Sequence, residues 1–196
     1  MVSREDLAAR GLSVQPNLEL NRWDHAARVA HGFCESEGFQ TGRFSGDFVE
    51  HQYLIFCLSG VEIHNPTRRE INGSGWPIGT ALYEESYATG QRAAFGYCED
   101  NGFGTGFLTG FYGGEGPRFG VVCIPSEFVL RSAVIDSTLS AAGWTVRMED
   151  MNRLHWAQIH RAMLAYCAKE LGYLGTWTGH RGWETQDIDT TCLVTD

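Results

Sequence analysis

HGFCESEGFQTGRFSG (residues 31–46) and FGYCEDNGFGTGFLTG (residues 95–110) are one sentence written twice, sixty-four residues apart. Extending the comparison to Arg28–Gly46 against Arg92–Gly110 gives ten identities in nineteen positions. Among them are Arg28/Arg92, Cys34/Cys98, Gly38/Gly102, Thr41/Thr105, Gly42/Gly106 and Gly46/Gly110. A match of that density inside one chain is an internal duplication, and it governs every further reading.

A weaker third copy comes later in AYCAKELGYLGTWTGH (residues 165–180), with Cys167, Gly172-Tyr173 and Thr178-Gly179 in the same order. Each copy has a second cysteine downstream, at Cys57, Cys123 and Cys192, with separations of 23, 25 and 25; all six cysteines are thereby used. Upstream, Gly11-Leu12, Gly75-Trp76 and Gly143-Trp144 correspond, and each is succeeded by an aromatic at Trp23, Tyr87 and Trp156. The 196 residues divide into tandem units near 1–65, 66–131 and 132–196.

Each unit reads from its period and punctuation. A short helix comes first (REDLAARG, RREINGSG, IDSTLSAAG), stopped by glycine, the usual residue just past a helix end. A brief strand is expected next (LSVQ, WPIG, WTVRM), then a longer helix near 18–37, 81–101 and 150–171. In the first copy Trp23, Ala26, Ala27, Ala30, Phe33 and Cys34 recur at three- and four-residue steps, an amphipathic stripe. Two strands close the unit as a hairpin. The expectation is a single α+β domain of three helix-strand-helix-strand-strand repeats, each of about 65 residues, closed with pseudo-threefold symmetry. An open solenoid is the alternative, but the end copies lack the polar capping that open arrays need.

Bulk composition narrows the function classes. Net charge is −9, spread over all three units, and the chain holds fourteen Arg and a single lysine, Lys169. No basic face exists to neutralise phosphates, so nucleic acid is excluded as a partner. No apolar run reaches the length of a membrane helix, so no membrane insertion is expected. The opening MVSREDLAARG has no signal-peptide core.

The first cysteine of each pair lies on the apolar stripe of the long helix and the second in the final strand. A strand covering its own helix would bring the sulfurs together, which predicts Cys34–Cys57, Cys98–Cys123 and Cys167–Cys192 bonds. Six buried thiols are the plainer alternative. Bonded cysteines would imply a secreted protein and reduced ones a cytoplasmic protein. No CxxC or HxxxH spacing occurs, so no metal site and no cofactor is expected.

Function is expected where the copies diverge, at the hairpin tips GDFVEHQ (46–52), GFYGGEGPR (110–118) and GHRGWETQDID (179–189). Each pairs an aromatic with a glutamate: Phe48 and Glu50, Tyr112 and Glu115, Trp183 and Glu184. A pyranose ring packs on an aromatic face while a carboxylate accepts hydroxyl hydrogen bonds, so the pairs suit a glycan or another small polar ligand. Asp47 and His180 add polar groups to the outer tips. The expected function is multivalent, lectin-like carbohydrate binding without catalysis. One alternative is a hydrolytic enzyme using His180, Glu184 and Asp187 of the third copy; another is a structural or toxin-like interaction protein.

Arg28, Arg92 and Arg161 share one position on the long helix, either as structural clasps or as a ring able to hold an anion. The glycines of GFxTG come after a helix rather than before one, so they read as positions for close strand packing or a bulge and not as a phosphate loop. His155 and His160 lie on the third long helix, His160 opposite Ala27, and read as surface or satisfied residues. Cys57 and His64 are near enough in sequence for a thiol–base pair, but the repeat already accounts for Cys57.

Overall fold

Ser3 and Thr67 each start a helix by the same exchange. In a computed structural model of the chain, the Ser3 hydroxyl accepts from the Asp6 amide at 3.1 Å, and the Asp6 carboxylate accepts from the Ser3 amide at 3.1 Å. Thr67 and Glu70 repeat the arrangement at 3.3 and 2.6 Å. Each box satisfies amides that a first helical turn leaves open. They open α1 (Arg4–Ala9) and α3 (Arg68–Asn72). Gly11 and Gly75, at φ 72° and 84°, turn the chain away after these helices. The structure describes residues 1–12, 23–49, 52–79, 87–113, 118–135, 156–170, 174–181 and 187–193.

The long helices are α2 (Trp23–Ser36), α4 (Tyr87–Asp100) and α5 (Trp156–Glu170). The first two end identically. Phe39 N donates to Cys34 O at 2.9 Å and Gly38 N to Glu35 O at 3.0 Å; Phe103 and Gly102 make the same pair to Cys98 and Glu99 at 3.0 Å each. Gly38 and Gly102, at φ 89° and 86°, supply the left-handed residue this ending requires.

The strands among the described residues are β1 (Val2–Ser3), β2 (Thr41–Val49), β3 (Gln52–Leu58), β4 (Glu62–His64), β5 (Thr105–Gly113), β6 (Arg118–Ile124), β7 (Val129–Ile135), β8 (Leu174–Arg181) and β9 (Asp187–Leu193). They form three antiparallel sheets ordered β1-β3-β2, β4-β6-β5 and β7-β9-β8. The whole is a small single α+β domain. No helix among the described residues is long and apolar enough to cross a membrane.

One expected strand is absent. WPIG, residues 76–79, is irregular, and the third strand of the sheet is β4, before the short helix instead of after it. The cause is local. Pro77 has no amide to donate, and the Asn72 side chain takes the place of a strand partner for Ile78. Its Oδ1 accepts from Ile78 N at 2.8 Å, and its Nδ2 donates to Ile78 O at 3.3 Å. Of LSVQ only Leu12 is described; Ile135, the first residue of the expected helix IDSTLSAAG, instead ends β7, and the rest of that stretch and WTVRM lie outside the described residues, as do the expected first turns of the three long helices.

Each long helix lies on one hairpin and also on the next. Helix α2 packs on β2 and on β5; α4 packs on β5 and on β8; α5 packs on β8 and on β2. The apolar residues match these contacts. Trp23, Ala26, Val29 and Ala30 of α2 share one core with Ala93, Ala94, Leu108, Phe119 and Val121. Leu193 of β9 packs with Val61, Phe107, Val122 and Ile124.

All three expected disulfides are present: Cys34–Cys57, Cys98–Cys123 and Cys167–Cys192, with Cα separations of 5.3, 5.4 and 5.5 Å. Each pins a long helix to the central strand of its own sheet. Gly42, Gly106 and Gly175 stand across the sheet from Cys57, Cys123 and Cys192. A Cβ at Gly42 would lie 2.1 Å from Cys34 Sγ and 2.6 Å from Ala30 O. At Gly106 it would lie 2.2 Å from Cys98 Sγ, and at Gly175, 2.1 Å from Met163 O. Gly42 and Gly106 of GFxTG are thus close-packing positions, and Gly175 stands in the same relation to its own disulfide.

Candidate functional site

The three hairpins share an irregularity just short of their tips. Between Phe44 and Phe48 strand β2 advances four residues while β3 moves only from Ile55 to Tyr53. The same slip separates Leu108 from Tyr112 against β6, and Trp177 from Arg181 against β9. Two extra residues therefore bulge from the first strand of every hairpin, which bends that strand and re-aims the residues beyond the bulge. Gly110, inside the second bulge at φ 82°, lies so close to α2 that a Cβ there would sit 2.0 Å from Asp24 O. The second bulge thus brings its hairpin against α2.

Beyond the bulges the pairing resumes at Phe48, Tyr112 and Arg181. Phe48 and Tyr112, two of the expected aromatics, thus occupy one register position. Tyr112 is half-buried and packs against the main core, so only part of its ring faces outward. Asp47 lies within β2, His180 within β8, and Asp187 opens β9. Glu50, Glu115, Trp183 and Glu184 lie outside the described residues.

The arginines of the long helices are engaged locally. Arg28 Nη2 donates to the buried Asp24 carboxylate at 3.2 Å, one helical turn away. Arg92 Nε donates to Ala88 O at 3.4 Å, and its guanidinium lies 5.4 Å from the Trp76 ring. Arg161 is half-buried on α5. His64 bonds the Tyr97 hydroxyl at 3.2 Å, and Cys57 is committed to its disulfide, so no thiol–base pair exists there.

A second polar group, which sequence reasoning missed, lies between the hairpins and the helices. Trp23 and Ala27 of α2, Tyr87 and Gln91 of α4, and His160 of α5 line a small cavity with Arg43 and Phe44 of β2 and Phe107 and Leu108 of β5. Arg43 Nη2 donates to the Tyr87 hydroxyl at 2.5 Å and lies 3.3 Å from His160 Nε2. The Tyr87 hydroxyl in turn bonds His160 Nε2. Burial raises the Tyr87 phenol to about 12, against the opposing pull of Arg43, so it stays protonated. Burial, and then the Arg43 charge, hold His160 well below the usual imidazole range, so it is neutral. Arg43 also lies over the Phe107 ring, 4.6 Å from its centre.

A signal for this cluster did exist. Ala27, Gln91 and His160 each fall one turn into a long helix, where α2 has alanine and α4 and α5 carry large polar groups. His160 is only 5 % exposed, so it is a satisfied residue and not a surface one. Among the described residues no group of His, Cys, Asp and Glu is arranged to hold a metal ion. No known protein family, curated protein or solved structure matches the chain.

Proposed function

We propose that this chain is a multivalent carbohydrate-binding protein, lectin-like, whose three hairpin tips each present an aromatic beside a carboxylate. The observation that carries the reading is the two-residue bulge at one register position in all three hairpins. Such a bulge is costly to a ladder and is kept where it aims side chains. Rigid support comes from the disulfides, which tie each hairpin to a helix.

In this reading the sequence repeats are three units closed about a pseudo-threefold axis. The order of contacts supports closure, because α2, α4 and α5 each reach the next hairpin and the third returns to the first. Three related sites give avidity for a branched or clustered glycan without any new contact, provided the ligand spans them. Disulfides in every unit fit an oxidising environment, and secretion is the proposed location.

A glycan array, with titration of the best ligand afterwards, tests the reading. Trp183→Ala should weaken binding by about 1–3 kcal/mol, the worth of a large aromatic face, with the fold intact by circular dichroism. Phe48→Ala should cost less and show mainly as lost avidity. A hydrolase centred on the third hairpin would instead lose turnover in His180→Ala or Glu184→Gln while keeping affinity. Unchanged binding in Trp183→Ala would remove the tip site.

A further inference from the structure

We propose that the cavity between Arg43, Tyr87, Gln91 and His160 is a binding site for a small monovalent anion of halide, nitrate or formate size. It is separate from the hairpin tips and does not depend on their function. The starting point is charge. Arg43 carries a guanidinium that cannot be deprotonated in a protein, and its Nη1 is buried with no hydrogen-bond partner. Its described neighbours in the cavity, Tyr87, Gln91 and His160, are neutral or held neutral. No carboxylate is among the described lining residues, and Asp24, nearby on α2, is engaged by Arg28.

Arg43 as a residue is half-buried, but its Nη1 is fully buried, and a charged donor buried without a partner carries an uncompensated desolvation cost. An anion against Nη1 removes that cost. The rest of the lining suits one that is weakly hydrated: Trp23, Ala27, Phe44, Phe107 and Leu108 offer apolar walls. The cavity is about 20 Å³, enough for one or two water-sized species. A single positive charge in so small a space favours a compact monovalent ion over sulfate or phosphate.

The test uses the whole, oxidised protein in a gluconate buffer, with sodium bromide added and thermal unfolding monitored. Bromide, nitrate and formate should raise the unfolding midpoint saturably, and sulfate at matched ionic strength should not. Arg43→Gln should abolish the saturable response or weaken apparent affinity at least tenfold. Should that variant fail to fold, crystals of the unaltered protein soaked in bromide decide by anomalous scattering. A bromide peak in hydrogen-bond range of Arg43 Nη1 supports the site. A response equal for bromide and sulfate, an undiminished response in a folded Arg43→Gln, or a protein carboxylate seated on Nη1 overturns it.

Discussion

Gly42 and Gly106 show what a single missing methyl group does in this chain. Each lets a strand lie against a helix at the point where a disulfide crosses between them, and a Cβ would strike Cys34 or Cys98 Sγ and a backbone carbonyl besides. Because one obstacle is backbone, a rotamer change cannot relieve the clash. Gly42→Ala or Gly106→Ala should therefore cost about 3 kcal/mol, at the upper end for overpacking. Denaturant unfolding of each variant, with a free-thiol count on the native protein, checks both the cost and the integrity of the nearby bond.

At the same scale, His160 couples stability to acid. Its folded-state affinity for a proton is depressed by burial first and Arg43 second, whereas the unfolded chain takes up that proton near 6.5. The unfolded state then binds more protons, so the stability is present above about 6.5 and lost as pH falls. His31 acts in the same direction, since burial lowers it against the opposing pull of Glu35. The denaturant midpoint should fall between about pH 7.5 and 5.5. His160→Gln, which accepts no proton, should flatten that fall; an unaltered slope would show that another group carries it. This residue was hard to read from sequence, because comparison of copies rewards shared positions. Arg43, Gln91 and His160 matter where the copies differ.

Among the elements, the disulfides and the caps make separable contributions. Each bond closes a loop of 23 or 25 residues, and in the chain-entropy account a loop of that size is worth about 3 kcal/mol. Replacing Cys98 and Cys123 together by alanine should lower unfolding free energy by about that amount, while unreduced peptide mapping of the parent chain should return three intra-unit pairs. Thr67→Ala removes one capping box and should cost about 1 kcal/mol, with the rest of the fold kept. The long helices, the hairpins and the bonds were legible because the chain states each of them more than once. Strands β1 and β4 were not, being two and three residues long, too short for any alternation to register. WPIG looked like a strand by composition, and only the side chain of Asn72, four residues before Trp76, decides otherwise. At the hairpins the bulges were not legible, because they depend on register between strands.

For the whole molecule, the central claim is that three related tips bind sugar from one closed scaffold. In this reading, helices that each serve two hairpins hold the tips at a fixed spacing. Fixed spacing is what turns weak individual sites into avid recognition of a clustered ligand. Native mass spectrometry of the oxidised chain with a short monovalent oligosaccharide, chosen from the glycan array, tests this most directly. The account predicts successive adducts reaching three per chain, with Trp183→Ala removing one of them. A single adduct at every concentration, or none, would contradict it.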